Sequence, residues 1–359
     1  MKTNIYIVSK AIQTGKTTAL LQWCKEQSNV AGVLTPDVDG SRKLYDIKQK
    51  QTFDFETKET LPANEITPIG RFHFLTEGFK QAQQIIHAGV GSEYLVIDEI
   101  GRLELNEGKG LEPSLGQVIK QYVSKAVSGN LVLVIRDYLL EACMEKYSLY
   151  DAQIIQSPEE INKQNELIGL VLCGGKSTRM HTDKAFINYH EKEQVYYLAD
   201  KMRLLCSSVF IACNATQKEK ISEHYKTICD SATFENTGPI AAILTALAHY
   251  PTHSFLVLAC DYPLLTLTDI LKLKSAFLST QKSVSFYNDE TGFREPLLAI
   301  YHAHDLQKLL SFYETGNTSL QHFLNEIDAV KVKPTDLKAI KSIDTKLEFD
   351  EIKSLITHN

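Results

Sequence analysis

Residues 167–184 read LIGLVLCGGKSTRMHTDK: six apolar-rich positions, the adjacent Gly174 and Gly175, then Lys176, Arg179 and Lys184. An unbroken apolar run ended by glycine predicts a strand buried on both faces, the kind that parallel sheets use. Adjacent glycines let the backbone approach an anion and turn N–H groups toward phosphate oxygens. Three cations in so short a span supply charge against a triphosphate and a pyrophosphate leaving group. A flexible surface loop with solvated charges would not need so apolar a strand before it.

The same grammar opens the chain. Residues 4–18 read NIYIVSKAIQTGKTT, predicting a strand over 5–8, a turn over 9–14, and a helix over 16–27 entered from Gly15. Gly15, Lys16, Thr17 and Thr18 have the order of a phosphate-binding loop. Backbone N–H groups at the helix terminus cradle oxygens, the lysine reaches the terminal phosphates, and the hydroxyl ligates Mg²⁺. Lys10 stands where that pattern usually has its first glycine. Alone, GKTT is also an ordinary helix start. Its partner is YLVIDE at 94–99, an apolar strand ending in two acids. Asp98 is placed to hold Mg²⁺ through water, and Glu99 to polarise an attacking water. In the second half, an apolar run over 254–260 ends at Asp261. One or two carboxylates plus substrate phosphates is the usual way Mg²⁺ is held in such sites.

Outward from these motifs, strands are predicted over 32–34, 43–48 and 131–135, with helices over 75–88 and 116–126. In the second half, strands fall over 209–213, 227–229 and 283–287, and helices over 193–205, 240–249 and 269–277. Strand–helix alternation predicts an α/β protein: two three-layer α/β domains with mainly parallel sheets, the second of them Rossmann-like. In such sheets ligands sit at the carboxyl ends of strands. The polar stretch SPEEINKQN at 157–165 divides the chain into domains of 1–160 and 166–359. Trp23 and the run 194–198 read as helix packing faces, and Asp350, Glu351 and Lys353 as a solvated helix face.

Composition narrows the classes further. The chain has 359 residues, 43% hydrophobic and 23% charged, with a net charge of −6. Residues 1–160 carry 17 basic and 21 acidic groups, so neither half can coat a phosphate backbone, and nucleic acid is not expected as a partner. No run reaches the roughly 18 apolar residues of a membrane span, so no membrane partner is expected. Seven scattered cysteines without a CxxC pair predict reduced thiols and a cytoplasmic location rather than a disulfide scaffold or zinc site. Cys173, within the glycine loop, is the one expected to be sensitive to oxidation.

At this point both halves resemble known families. Residues 1 to about 155 resemble the small archaeal–bacterial P-loop nucleoside-triphosphatases. The likeness rests on Gly15-Lys16-Thr17-Thr18, on GVLTPDV at 32–38 and on IDEIGRLEL at 97–105. It implies phosphate and Mg²⁺ binding at Lys16 and Thr17, and hydrolysis at Asp98 and Glu99. Binding of a second NTP without hydrolysis, as a delivery module, remains the alternative.

Residues 167 to about 355 resemble the molybdenum cofactor guanylyltransferases, the MobA-type nucleotidyltransferases. Leu172, Gly174, Gly175, Ser177, Arg179, Met180, Asp183 and Lys184 match that family's signature. Asn214, Asp230, the run CDYP at 260–263 and REPLLAIY at 294–301 fit as well. The resemblance implies that Leu172, Cys173 and Gly174 contact a guanine nucleotide, while Gly175 orients phosphates. Lys184, Asn214 and Asp230 would complete the pocket, Asp261 would bind nucleotide and Mg²⁺, and Arg179 and Lys184 would offset phosphate charge. The implied reaction joins GTP to molybdopterin and releases pyrophosphate, with molybdoenzymes as acceptor proteins. Cytidylyl transfer, or transfer to a sugar or polyol phosphate, stays open.

Overall fold

The computed structural model describes residues 4–10, 16–161, 166–173, 183–234, 237–343 and 346–357. It divides into two compact units, residues 1–163 and 164–359. Gly15, Gly174, Gly175 and Arg179 lie outside the described residues.

The first unit is built on an eight-stranded sheet. Its chain runs β1 (Asn4–Lys10), α1 (Lys16–Glu26), β2 (Val30–Leu34), β3 (Asp37–Val38), β4 (Ser41–Asp46) and β5 (Gln51–Asp54). It continues through β6 (Glu56–Thr57), β7 (Ile66–Ile69), β8 (Phe72–Leu75), α2 (Thr76–Ala88) and β9 (Tyr94–Ile100). Then follow α3 (Ser114–Val123), β10 (Asn130–Arg136), α4 (Leu140–Tyr147) and β11 (Gln153–Ile155). The sheet order is β11-β1-β10-β9-β2-β4-β3, with β5 on β4. The strands from β11 to β2 are all parallel. The central strands carry apolar runs because both of their faces are covered: Leu95, Val96 and Ile97 are fully buried, as are Leu131, Val132 and Leu133. Gly32 is required by close approach. Its φ is +115°, and a Cβ there would lie 1.9 Å from the Val96 carbonyl oxygen on β9.

Two differences from the sequence reading concern this unit. The turn expected at 9–14 begins later, because Ser9 and Lys10 extend β1 in register with Ile135 and Arg136 of β10. The small sheet β6-β8-β7 was not expected. Its strands are too short for an alternating pattern to show, and they are held by pairing with one another.

In the second unit the chain runs β12 (Leu167–Leu172), α5 (Gln194–Arg203), β13 (Ser208–Cys213), α6 (Ala215–Lys218) and β14 (Lys226–Cys229). Next come α7 (Pro239–His249), β15 (Ser254–Ala259), α8 (Leu267–Thr280), β16 (Val284–Asn288) and β17 (Phe293–Tyr301). It closes with α9 (Ala303–Glu314), α10 (Leu320–Glu326), β18 (Val330–Val332) and α11 (Lys346–Thr357). The sheet order is β14-β13-β12-β15-β17-β16-β18. The strands from β14 to β15 are parallel, whereas β17 runs antiparallel to both of its neighbours. The chain moves from β12 outward to β14, then returns to place β15 on the other side of β12. That reversal makes the β12–β15 crevice the topological switch point, where an open α/β sheet binds ligands. Among the described residues no helix is long and apolar enough to cross a membrane.

Candidate functional sites

In the first unit, Thr17 lies in the first turn of α1 and its hydroxyl donates to Asp98 Oδ2 at 3.0 Å. The backbone N–H and hydroxyl of Thr35 donate to the same oxygen, at 3.1 and 3.2 Å. Asp98 therefore ties the start of α1 to the end of β2. Its Oδ1 is buried without a hydrogen-bond partner. Burial pushes the Asp98 carboxyl above the usual carboxylate range, opposed by those three bonds and by Arg42. A buried carboxylate oxygen without a donor, beside a threonine hydroxyl, is a donor set that suits a hydrated Mg²⁺. Lys16 is half-buried and Thr18 exposed.

Glu99 goes elsewhere. Residues 98 and 99 form a bulge, since Ile97 pairs with Leu133 and Ile100 with Ile135. Glu99 itself has φ +60°, and a bulge of this kind re-aims a side chain. Its carboxylate pairs with Arg42 and with Arg136, the latter at 3.2 Å. The water-polarising acid anticipated from the sequence is thus engaged by two guanidinium groups. Thr35, Arg42 and Arg136 had not been singled out from the sequence. The available signal was that Thr35 and Arg136 end or follow apolar strands at the same sheet edge as Asp98.

In the second unit, four parallel strands end in register: Leu172 beside Ala259 and Ala212, and Cys213 beside Cys229. Leu172, Cys173, Asn214, Asp230 and Asp261 therefore share one sheet edge. Cys173 and Cys260 continue the ladder, donating backbone N–H groups to Ala212 and Leu172 at 3.2 and 3.1 Å. Cys173 is 2% exposed, which corrects the expectation of an oxidation-sensitive loop thiol: a buried thiol is inert. Asn214 caps α6, accepting from Gln217 N–H at 2.9 Å. Gln217 in turn donates to Asp183 at 2.8 Å, and Asp183 accepts from Ala185 N–H at 3.2 Å. This chain of bonds fixes the short helix on which Lys184 begins. Asp230 is exposed.

A second carboxylate stands near Asp261. Glu295 on β17 accepts from the Tyr262 hydroxyl at 3.0 Å. Burial raises its pKa and the Asp261 charge raises it further, while the Tyr262 bond lowers it. Burial, then Asp261 and Cys260, push Tyr189 up to about 12. Glu295 lies within a stretch quoted above but was assigned no role, because antiparallel pairing with β15 brings it to the site from 34 positions away in sequence. Among the described residues there is no cluster of three or more His, Cys, Asp or Glu arranged around a metal position.

Each unit thus presents a nucleotide-type edge at the carboxyl ends of its parallel strands. The second unit matches the MobA-like NTP transferase domain over residues 169–330, and the first matches the NTPase family over residues 5–154. Among relatives, the molybdenum cofactor biosynthesis bifunctional protein of Synechocystis sp. is 32% identical over 190 residues, covering 53% of this chain and 54% of that protein. The chain thus spans about half the length of that curated relative. The molybdenum cofactor guanylyltransferase of Campylobacter jejuni (strain RM1221) is 26% identical, covering 53% of this chain and 97% of that one. Among solved structures, molybdopterin-guanine dinucleotide biosynthesis protein A from Archaeoglobus fulgidus aligns with a TM-score of 0.45 at 22% identity, over 54% of this chain and 100% of that chain.

Proposed function

We propose that the second unit transfers GMP from GTP to molybdopterin and releases pyrophosphate. The observation that carries this reading is Asp261 at the switch point, one strand from Leu172 and Cys173, with Glu295 behind it. A phosphate oxygen of molybdopterin attacks the α-phosphorus. That P–O bond forms as the bond from the α-phosphorus to the α–β bridging oxygen breaks, and its electron pair leaves on pyrophosphate. No protein nucleophile is needed, because a phosphate monoester is already ionised near neutral pH. Asp261 and Glu295 are the residues to hold Mg²⁺, which supplies positive charge against the phosphates when bound. Arg179 and Lys184 offset further charge, Gly174 and Gly175 orient phosphates, and Asn214 and Asp230 border the nucleotide. The product serves molybdoenzyme acceptors in the cytoplasm, where the cysteines stay reduced. Incubation with labelled GTP or CTP, Mg²⁺ and molybdopterin tests the reading. A guanine dinucleotide supports it; a cytosine dinucleotide, or no pterin product, refutes it.

In the first unit, Gly15, Lys16, Thr17 and Thr18 bind a second NTP, with Thr17 and Asp98 toward Mg²⁺. Hydrolysis assisted by Glu99 is one outcome. Nucleotide-dependent binding without turnover is the second reading, favoured by the two arginines that occupy Glu99. Phosphate release by the full chain, compared with Lys16→Ala, separates them.

A further inference from the structure

Cysteines stand side by side along the carboxyl edge of the second sheet. Cys213 pairs in register with Cys229 of the neighbouring parallel strand. Leu172 pairs with both Ala212 and Ala259, so the next position, Cys173, lies between Cys213 and Cys260. The row therefore reads Cys229, Cys213, Cys173 and Cys260 across β14, β13, β12 and β15. Members of such a row are one strand spacing apart and do not converge on a point, in keeping with the lack of a metal-type cluster among the described residues. Neighbours do meet: thiol–thiol hydrogen bonds join Cys213 to Cys229 and Cys173 to Cys260.

Access separates the two pairs. Cys173 and Cys260 are 2% and 1% exposed, closed to an oxidant. β14 is the edge strand of the sheet, and its Cys229 is half-buried. Adjacent strands lie about 4.8 Å apart, inside the Cα separation of about 4.4–6.8 Å that a disulfide spans. An edge strand, paired on one side only, can shift to accommodate the bond. Burial pushes the Cys213 thiol up to about 12, which leaves Cys229 as the sulfur that meets an oxidant first.

We propose that Cys213 and Cys229 form a reversible, peroxide-responsive disulfide at the base of the second unit's nucleotide pocket. The Cys229 sulfur attacks one oxygen of hydrogen peroxide. The O–O bond breaks, and the displaced hydroxide leaves as water with the Cys229 proton. The Cys213 sulfur then attacks the sulfenic sulfur. The S–S bond forms, the S–O bond breaks, and the Cys213 proton leaves with hydroxide as a second water. Two thiols are oxidised and one peroxide is reduced. In a reducing compartment the pair rests as thiols, and a bond of this kind is transient and redox-sensing. Asn214 and Asp230 directly follow the two cysteines. Asn214 accepts from Gln217, which donates to Asp183 beside Lys184, so drawing the strand ends together displaces the border of the pocket. That consequence rests on the nucleotidyltransferase reading; the cross-link does not.

The test treats the full, reduced chain with a small excess of hydrogen peroxide, alkylates the remaining thiols in denaturant, and digests with trypsin. Cleavage after Lys218, Lys220 and Lys226 puts Cys213 and Cys229 on separate peptides. A cross-link between those two peptides is expected, lost on treatment with dithiothreitol and absent from Cys229→Ser. Alkylation of both thiols after peroxide, over-oxidation of Cys229 without the link, or a link to another cysteine each overturns the proposal. Binding of Mg²⁺–GTP to Lys16→Ala, which silences the first unit's site, is expected to weaken about tenfold on cross-linking. The same binding in Lys16→Ala/Cys229→Ser is expected to ignore peroxide. Unchanged affinity in the cross-linked chain overturns the coupling to the pocket. A reduced Lys16→Ala chain that binds no GTP sinks the nucleotidyltransferase reading and leaves the cross-link standing.

Discussion

Asp98→Asn separates what the first unit needs for stability from what it needs for its ligand. The substitution removes a charge from a residue that is 2% exposed. The remaining carbonyl oxygen can still accept from Thr17 and Thr35. The new amide replaces Oδ1, which already lacks a partner, so one unsatisfied atom exchanges for another. Relief of the buried charge is worth several kcal/mol. Weakening three hydrogen bonds to a charged acceptor costs about 1 kcal/mol each. The variant is therefore expected to be more stable by about 1–2 kcal/mol at pH 8, a Tm increase of about 2–4 °C per kcal/mol for a unit of this size. Because the fold raises this carboxyl's pKa, the folded protein keeps its proton to higher pH than the unfolded chain. Wild-type stability then falls as pH rises through the folded value, and the gap between variant and wild type closes in acid. The sole tryptophan, Trp23, packs edge-on against Tyr94 in this unit's core, so urea melts followed by its fluorescence report the first unit selectively. The same variant is expected to lose Mg²⁺-dependent nucleotide binding there. A variant less stable at every pH, or a gap unchanged between pH 8 and about pH 3, below the ordinary carboxylate range, would refute the balance of terms; full retention of Mg²⁺-nucleotide binding would refute the role.

Four further outcomes are expected. Asp261→Ala abolishes dinucleotide formation while circular dichroism stays that of the wild type; activity at the wild-type level removes Asp261 from the site. Glu295→Gln raises the Mg²⁺ concentration needed for transfer by about 10–100-fold. Since the Glu295 pKa is raised, wild-type transfer climbs with pH through that value and the variant loses this limb; an unchanged Mg²⁺ titration makes Glu295 structural. Lys16→Ala eliminates nucleotide binding by the first unit but leaves transfer by the second intact, and a chain losing both would show the sites to be interdependent. Gly32→Ala costs the first unit more than about 4 kcal/mol, because its Cβ meets backbone rather than a movable side chain; a loss below about 1 kcal/mol in the Trp23 melt would mean that β2 shifts freely.

The elements legible in the sequence were those whose burial leaves a continuous pattern. β12 was read to the residue, because six buried positions between polar Glu166 and the glycine loop admit one boundary. β9 was found but cut short, since Asp98 and Glu99 look like the end of a strand when they are a bulge within it. The antiparallel β17 was quoted for its motif and not recognised as a strand. Polar Arg294 and Glu295 interrupt its first half, and the two face partners contributed by distant segments.

By itself the sequence determined the α/β class, the two nucleotide-type motifs, and the acids at the strand ends, because apolar runs and glycine turns are local properties. Tertiary structure decided which acids act together. Asp98 and Glu99 are neighbours in the chain, yet a positive φ sends one to Thr17 and Thr35 and the other to Arg42 and Arg136. Asp261 and Glu295 are far apart in the chain, yet antiparallel pairing of β15 with β17 makes them electrostatic neighbours. Adjacency in sequence fixes a backbone bond; bulges and strand pairing fix where charges meet.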